Sequence, residues 1–308
     1  MITFYQNQKG LVPTAAQESP YWINTVCPTV LDKKYLLDEL QIPEAFYNDI
    51  EDIDERPRIE YEQGWYLILI RIPYKSSDPK LPFSTAPLGF IFNATTFVSI
   101  CFEENELLTD FIAYTQRKQL TIANHFDLVL KLLLSSSVWF LKYLKQINQS
   151  IKLAENNLEQ SIRNEDLQTL LQLEKCLVYF ITSIKGNDNV FRRIKNIKEQ
   201  QAFFDPELLE DVDIELRQAE EMANIYSNIL AGMMDAYASV ISNNLNVIMK
   251  RLTSISIILM IPTVIASFYG MNVPNSLEQN PYGLVLLILL SGLISTMGVY
   301  LFKKKNFF

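Results

Sequence analysis

Two long uncharged stretches set the C-terminal part of this chain apart from the rest. Residues 252–271 and 282–302 contain no Asp, Glu, Lys, Arg or His. A helix needs about 20 apolar residues to cross about 30 Å of hydrocarbon, so each stretch is long enough to span a membrane. We therefore predict two transmembrane helices. The alternative, a buried helical hairpin in a soluble core, is disfavoured because soluble helices of this length usually carry charged residues on their solvent side.

The region before the first span has the periodicity of long helices. Apolar residues recur every three or four positions through 121–162 and 164–198, and neither range contains proline. This spacing predicts two long antiparallel helices. A third helix is predicted to start at Pro206, with Asp205 as its N-cap. No further proline occurs before Pro262, so we predict a single helix of about 60 residues that continues into the membrane.

The N-terminal part of the chain mixes short strand and helix patterns. Aromatic and β-branched residues predict a strand pair over 58–75 and a second hairpin over 87–104. A weak alternation over 21–28 predicts a further strand, and helical spacing over 30–40 predicts a short helix. We therefore expect an α/β domain built around a small sheet.

The predicted organisation has six parts. They are an α/β domain over 1–120, long antiparallel helices over 121–204, a stalk helix with the first span over 205–271, an extracytoplasmic loop over 272–281, the second span over 282–302 and a basic tail over 303–308.

Two stripes of residues run along the helix predicted from Pro206, each at alternating steps of four and three positions, the spacing of one face of a long helix. The first is largely apolar and predicts a packed seam: Val212, Leu216, Ala219, Ala223, Tyr226, Leu230, Met233, Tyr237 and Val240. The second, the polar stripe, is mostly small or polar: Asp235, Ser239, Ser242, Asn246, Met249, Thr253, Ser256, Met260, Thr263 and Ser267. Hydroxyl and amide groups that face lipid are costly, so the polar stripe should face other helices or water.

The polar stripe has two interpretations that the pattern leaves equally open. Ser and Thr often form contacts between membrane helices, and the same groups can line a pore. Two helices cannot enclose a water-filled path, so a pore would need a ring of identical subunits, each with its first span at the axis. The second span, with Ser291, Gly292, Ser295 and Gly298 among large aliphatic residues, would then pack outside.

Basic residues flank the two spans on one side of the membrane. Lys250 and Arg251 precede the first span and lysines occupy 303–305, whereas the connecting loop carries one acid, Glu278, and no Lys or Arg. The positive-inside bias therefore predicts that both flanks are cytoplasmic. The N-terminal residues lack the apolar segment of a signal peptide, so we expect a cell-membrane protein with both termini in the cytoplasm.

Charge and cysteine content narrow the chemistry. The net charge of −8 argues against a nucleic-acid partner and is compatible with cations. Three widely spaced cysteines, Cys27, Cys101 and Cys176, are predicted to be reduced core residues. The single histidine, His125, lacks nearby partners for a metal site. No ATP-binding motif is present, and we expect neither catalysis nor a catalytic cofactor.

The outer end of the first span carries the motif Tyr269-Gly270-Met271-Asn272. It resembles the signature of the CorA family of divalent-cation transporters, a Gly-Met-Asn triplet at the same place. The similarity extends over NVIMKRLTSISIILMIPTVIASFYGMN, and the segments GMMDAY and LEDVDIE resemble the cytosolic stalk of the family. With two terminal spans, a short acidic loop and a basic tail, the motif is specific. The rest of the chain is similar in the order of its elements only.

The resemblance implies a funnel-shaped homopentamer with a cytoplasmic α/β domain, a long stalk helix and a pore formed by the first span. It implies a selectivity filter at Gly270, Met271 and Asn272. It also implies a regulatory cation site between subunits at Asp211, with Asp235 facing the axis. The pore-lining residues that it implies are Asn246, Met249, Leu252, Thr253, Ser256, Met260, Thr263 and Ser267.

The remaining implications of the resemblance concern single residues. Met249 and Leu252 would form an apolar gate. The acid that partners the regulatory stalk aspartate lies in the α/β domain of the family, and Asp78 is our candidate for it. Pro262 stands one position later than in many relatives. The loop lacks the MPEL pattern of some members, which puts an ion-collecting role for Glu278 in doubt.

We therefore expect a channel that carries Mg²⁺ into the cytoplasm down its electrochemical gradient and is closed by cytosolic Mg²⁺, with Co²⁺ and Ni²⁺ as further candidate ions. Hydrated Mg²⁺ releases water reluctantly, and neutral amide and carbonyl oxygens can bind its waters without holding the ion too tightly. Two alternatives stay open. One is a transporter of the same family that carries Zn²⁺ or another transition metal, and the other is a membrane-tethered sensor. A tether needs no polar stripe in the membrane.

We predict that Asn272→Ala nearly abolishes Mg²⁺ flux into liposomes while assembly and membrane insertion are unchanged. The substitution removes the amide oxygens that meet the hydrated ion but no buried packing. Asn275→Ala is the matched control and should change flux little. Asn272→Asp should bind divalent cations more strongly yet pass them more slowly, because conduction requires sites that an ion can leave. Flux through Asn272→Ala equal to that of the parent would reduce Asn272 to an ordinary helix-terminating residue.

Overall fold

The chain folds into two compact units, Met1–Ala231 and Gly232–Phe308. The computed structural model describes residues 1–15, 18, 20–160, 164–197, 204–271 and 281–304. A sheet with its helices belongs to the first unit, and the apolar C-terminal helices belong to the second. The α/β domain, the long helices and the two apolar C-terminal helices predicted from the sequence are all present.

Seven strands form one mixed sheet in the first unit. They are β1 (Ile2–Asn7), β2 (Leu11–Thr14), β3 (Trp22–Val26), β4 (Arg58–Glu62), β5 (Trp65–Lys75), β6 (Phe83–Phe92) and β7 (Phe97–Cys101). Their order across the sheet is β2-β1-β3-β7-β6-β5-β4. Every neighbouring pair is antiparallel except β3 and β7, which are parallel.

The helices of the described residues are α1 (Val30–Lys34), which runs on as a π-helical turn over Tyr35–Glu39, α2 (Glu44–Glu51), α3 (Glu106–Lys118), α4 (His125–Gln160), α5 (Asn164–Lys195), α6 (Pro206–Tyr269) and α7 (Gly283–Lys304). The predicted pair of long helices corresponds to α4 and α5. The single long helix predicted from Pro206 is α6, which has 64 residues and contains Pro262.

The sheet is larger than the sequence patterns predicted. The two predicted hairpins are present as β4–β5 and β6–β7, but β6 begins earlier than predicted, because Phe83 pairs with Lys75 at the end of β5. The hairpin β1–β2 was not predicted. Its second strand is short and depends on distant contacts: Leu11 N donates to Thr115 Oγ1 at 3.2 Å, and Leu11 O accepts from Gln116 Nε2 at 2.6 Å.

Close packing of α2 on the sheet requires a glycine in β6. Ile50 of α2 is only 1% exposed. A Cβ built on Gly89 would lie 2.1 Å from Ile50 Cδ1, so no larger residue fits there unless the Ile50 side chain or its helix shifts. Phe46 of the same helix and Leu67 of β5 belong to the same buried cluster.

The amide of Asn187 joins α5 to the free edge of β5. β4 pairs with β5 only as far as Leu69, so the backbone of Arg71 has no strand partner on that edge. Asn187 Oδ1 accepts from Arg71 N at 2.8 Å, and Asn187 Nδ2 donates to Arg71 O at 2.7 Å. The buried side chain therefore satisfies both backbone groups as a strand residue would, and it fixes α5 on the sheet.

Local sequence explains both the start of α6 and its buried face. Asp205 Oδ1 accepts a hydrogen bond from Glu207 N at 3.0 Å, as predicted for an N-cap. The predicted seam is buried through the first part of the helix, at Val212, Leu216, Ala219, Ala223 and Leu230. Its last residue, Val240, is 45% exposed. The fully buried residues of the seam therefore all lie in the part of α6 that belongs to the first unit.

The prediction that all three cysteines are core residues is wrong at one position. Cys101 and Cys176 are buried, whereas Cys27 is exposed, and all three are free thiols. β3 ends at Val26, and Cys27 adopts a left-handed φ of 46°, which turns the chain out of the sheet. Its Sγ donates to Phe102 O at 3.3 Å.

His125, the first residue of α4, packs among aromatic rings. Its ring centroid lies 5.4 Å from that of Tyr21, 5.7 Å from that of Phe92 and 5.3 Å from that of Phe97. Nδ1 lies 3.1 Å from Asn93 O. A carbonyl oxygen only accepts, so the neutral ring carries its hydrogen on Nδ1. Burial lowers the pKa of His125, and the Asn93 carbonyl opposes this shift.

We predict that acidification below about pH 6.5 destabilises the parent more than His125→Gln. The unfolded chain protonates its histidine near this pH, whereas the folded state resists protonation because its pKa is lowered. The unfolded state then binds more protons, so the free energy of unfolding falls as the pH is lowered. The ring is partly exposed, so the difference should be small. Thermal unfolding in mild detergent at about pH 7.5 and 5.5 measures it, and identical pH dependence of both proteins would contradict the prediction.

Candidate functional site

Two described helices are long and apolar enough to cross a membrane, α7 and the apolar part of α6. Only 6% of the most apolar window of α6 is buried within the chain, and none of that of α7. A helical hairpin in a soluble core would be mostly buried, so that alternative does not fit. Both helices need an apolar environment that the chain itself does not provide.

A glycine of α7 sits against one face of α6. A Cβ built on Gly298 would lie 3.6 Å from Ile261 Cδ1 and 3.9 Å from Ile258 Cγ1. A Cβ on Gly292, by contrast, would meet nothing within 4 Å. α7 therefore lies against the face of α6 that contains Ile258 and Ile261 and covers it in part, as expected of a second span that packs beside the first.

The polar stripe lies on nearly the opposite face of α6, as the turn of about 100° per residue requires. Its larger side chains in the span are well exposed, at 57% for Met249 and 61% for Met260. Leu252, beside the stripe, is 57% exposed. Ser256 is partly buried, and the other stripe residues of the span are exposed: Thr253, Thr263 and Ser267. Within one described chain, the stripe is therefore largely uncovered.

Two hydroxyl groups of the polar stripe donate their hydrogens to the helix backbone. Ser256 Oγ donates to Leu252 O at 2.9 Å, and Thr263 Oγ1 donates to Leu259 O at 3.2 Å. A hydroxyl oxygen whose hydrogen is used in this way still has lone pairs that accept hydrogen bonds. At these positions the uncovered face of α6 therefore presents acceptors rather than donors.

Acidic and amide groups continue the polar stripe before the span. Asp235 and Asn246 are exposed, and Ser239 Oγ donates to Asp235 O at 3.0 Å. Within the described part of the chain, no basic side chain forms an ion pair with Asp235. Its carboxylate is therefore available to a cation.

The Gly-Met-Asn motif begins where α6 ends. The helix ends at Tyr269, and Gly270 N donates to Ala266 O at 2.9 Å. The side chain of Met271 is 53% exposed. Asn272 and the loop acid Glu278 lie outside the described residues, so their predicted roles stay predictions.

Asp211 lies on the wall of a cavity of about 400 Å³ formed by α3, α4 and the start of α6. Three more carboxylates line this cavity, those of Asp110, Asp205 and Glu207, together with aromatic and aliphatic side chains. Asp110 was not singled out from the sequence. It lies on α3, about a hundred positions from Asp211, and only the packing of the helices brings the two into one cavity.

Lys131 lines the same cavity but does not neutralise its carboxylates. Its Nζ lies 2.5 Å from Oδ1 of Asp127, which is only 7% exposed, and the pair is a local contact within α4. The cavity therefore keeps an excess of negative charge. In the described ranges, no three His, Cys, Asp or Glu side chains are placed to hold a metal ion together.

The predicted partner acid, Asp78, is elsewhere in the first unit. It is exposed in the turn between β5 and β6, where its Oδ1 accepts from Lys80 N at 2.9 Å. It is not among the residues that line the cavity of Asp211. The structure does not bring the two together within one chain, and a contact between subunits stays a prediction.

Sequence comparison matches residues 17–304 to the family described as CorA-like Mg²⁺ transporter protein. Two curated relatives are both named cobalt/magnesium transport protein CorA. The relative from Methanocaldococcus jannaschii is 26% identical over 263 residues, which cover 83% of this chain and 81% of that protein. The relative from Thermotoga maritima is 24% identical over 311 residues, with 97% and 86% covered. These names describe transporters, in agreement with the prediction that the chain is not an enzyme.

Solved structures share the fold. The complete CorA magnesium transporter from Methanocaldococcus jannaschii superposes with a TM-score of 0.83 at 22% identity, over 100% of this chain and 99% of that one. The cytoplasmic domain of ZntB from Vibrio parahaemolyticus gives 0.62 at 10% identity, over 79% and 98%. At such identities the similarity concerns the fold alone. The shared fold consists of an α/β domain and long helices, and for the complete transporter it extends over the full chain.

Proposed function

This chain belongs to the CorA-like Mg²⁺ transporter family, and from that premise we propose that it conducts Mg²⁺ across the cell membrane into the cytoplasm. Its relatives are named for cobalt and magnesium transport, so Co²⁺ is a second candidate ion and Ni²⁺ a third. The observation that carries the proposal is the uncovered polar stripe on the membrane-spanning part of α6.

A ring of subunits removes the conflict between the polar stripe and the membrane. α7 covers the opposite face of α6, at Ile258 and Ile261. In a single copy the hydroxyl oxygens of Thr253, Thr263 and Ser267 would therefore face hydrocarbon, where their lone pairs find no donor, which is costly. In a closed ring of identical subunits the same side chains line an aqueous axis. We propose five subunits, as in the family that the motif resembles.

The stripe has the hydrogen-bonding polarity that a hydrated cation needs. Waters bound to Mg²⁺ direct their hydrogens outward, and the ion gives up these waters reluctantly. Ser256 and Thr263 donate their own hydrogens to the backbone, so their oxygens accept from those waters. The amide oxygen of Asn272, with the carbonyl of Gly270 beside it, would do the same at the outer end of the pore.

Conduction needs a driving force and a gate. A transmembrane potential supplies about 2.3 kcal/mol per elementary charge per 100 mV, hence roughly 4.6 kcal/mol for a divalent ion. The direction is inward for a cell whose interior is negative. Met249 and Leu252, each 57% exposed on one chain, would form an apolar ring at the cytoplasmic end, and such constrictions close by excluding water.

Regulation would act through the acids of the stalk. Asp211 lies in a cavity with three other carboxylates, and Asp235 has no ion-pair partner among the described residues. Acids that meet at an interface between subunits repel unless a cation lies between them. Cytosolic Mg²⁺ bound there would hold the closed state, and its loss would favour opening.

We predict that Thr263→Val lowers Mg²⁺ uptake into liposomes by about tenfold or more, because every subunit loses an acceptor from the pore wall. Thr296→Val is the matched control: its Oγ1 donates to Gly292 O at 2.8 Å on an exposed position of α7, away from the stripe. Equal losses in the two variants would point to helix structure instead of pore lining.

Particles no larger than dimers in mild detergent would contradict the ring, and uptake of Zn²⁺ in preference to Mg²⁺ would favour the zinc alternative.

We predict that Asp211→Ala, alone or with Asp235→Ala, keeps the fold and raises the Mg²⁺ concentration needed to close the channel. The reason is the loss of carboxylates that the bound cation would bridge. Asp213→Ala is the control, because Asp213 already pairs with Arg217. Protection from protease by Mg²⁺, measured together with uptake, reads out the closed state. Unchanged sensitivity to Mg²⁺ in Asp211→Ala would contradict the regulatory role and show that these acids belong to an ordinary solvated surface.

A further inference from the structure

Pro262 removes the usual N–H donor of one carbonyl in the middle of the membrane-spanning part of α6. A helix interior pairs the carbonyl of each residue with the N–H four positions later, and proline has no N–H. The carbonyl of Ile258 therefore lacks its helical partner, and no described side chain donates to it. The next carbonyl is better supplied, because Thr263 Oγ1 donates to Leu259 O.

Ser295 of α7 has the complementary defect. Its Oγ is buried and forms no hydrogen bond with any described residue. Other hydroxyls of α7 donate to their own helix: Ser291 Oγ to Ile288 O at 3.2 Å and Thr296 Oγ1 to Gly292 O at 2.8 Å. A buried hydroxyl without a partner is costly and calls for a physical explanation.

The unpaired acceptor and the unpaired donor lie at the same level of the helix pair. Gly298 packs against Ile258 and Ile261. The basic flanks predict that the two helices run antiparallel, so one turn back from Gly298 along α7 corresponds to one turn forward along α6. This spacing puts Ser295 at about the level of Pro262 along the pair, and the Ile258 carbonyl points towards that level.

We propose that Ser295 is a positioning residue of α6. In a second conformation of the helix pair, Ser295 Oγ donates to Ile258 O, and this hydrogen bond sets the bend of α6 at Pro262. Proline is a common cause of helix bending. In membranes, Ser and Thr side chains of neighbouring helices are among the groups that satisfy the backbone freed by proline.

The bend would change the alignment of the polar stripe. Thr263 and Ser267 follow the proline, whereas Thr253 and Ser256 precede it. A change of bend at Pro262 therefore turns the outer acceptors relative to the inner ones. Only this link to conduction rests on the proposed function; the hydrogen bond itself does not.

The S–H vibration of a cysteine at this site tests the hydrogen bond directly. Ser295→Cys is made in a chain that carries Cys27→Ser, Cys101→Ala and Cys176→Ala, and its infrared band is recorded in liposomes with Mg²⁺ and with EDTA. We expect a free and a hydrogen-bonded component. The bonded component should vanish in Pro262→Ala, where the restored N–H takes up Ile258 O. Ser291→Cys is the matched control, and its band should not respond to Pro262→Ala.

Two infrared results would overturn the proposal. One is a single free S–H component under both metal conditions. The other is a bonded component that survives Pro262→Ala, which would identify a different acceptor. Neither result depends on transport, so the hydrogen bond can be judged even if the chain carries no Mg²⁺ and the proposed function fails.

Flux measurements test the link to conduction. Ser295→Ala should change Mg²⁺ uptake about fivefold in the parent, the population shift that one hydrogen bond produces. It should have no effect in Pro262→Ala, and Ser291→Ala should have little effect in either background. An equal effect of Ser295→Ala in both backgrounds would show that the serine acts independently of the proline, contrary to the proposal.

Discussion

A hydroxyl group inside a membrane must find a polar partner, because hydrocarbon offers none. On α6 this constraint bears on the assembly of the protein as well as on the surroundings of single side chains. One face of the span is taken by α7 through Gly298, and the polar stripe lies on nearly the opposite face. If the stripe is turned towards further copies of itself, assembly and a water-filled path become the same structural requirement. The bilayer would then favour the oligomer that conducts.

Hydrogen bonds within α6 would decide which kind of solute the proposed path accepts. Because Ser256 and Thr263 donate to the backbone, their oxygens would meet a solute as acceptors. Neutral oxygens of this kind can accept hydrogen bonds from the waters of a hydrated cation, and conduction needs sites that an ion can leave. The acids around Asp211 have another chemistry: Asp211 shares a cavity with three other carboxylates, and this excess of negative charge suits the proposed regulation by a cation better than passage.

Pro262 and Ser295 show how a membrane helix can have access to two conformations. Each leaves one backbone or side-chain group without a partner, and the two groups could satisfy each other at little cost. A chain that carried neither defect would have a straighter and more rigid first span. A chain that carried only the proline would bend without a donor on α7 to select the bend.

Features that depend on neighbours within one or two helical turns could be predicted from the sequence. The spans, the N-cap at Asp205, the seam of α6 and the polar stripe all follow from spacing and local chemistry. The motif at 270–272 likewise pointed to the family. Asn272 lies outside the described residues, so its role still depends on that motif.

Only the tertiary structure decided the contacts between distant segments. The parallel pairing of β3 with β7, the hairpin β1–β2 held by α3, and the cavity that Asp110 shares with Asp211 join positions about 75 to 105 residues apart. The exposure of Cys27 and the unpaired hydroxyl of Ser295 are likewise matters of what lies beside them. Periodicity says which face of a segment is apolar or polar; it does not say which other segment meets that face, because that choice depends on packing the whole chain at once.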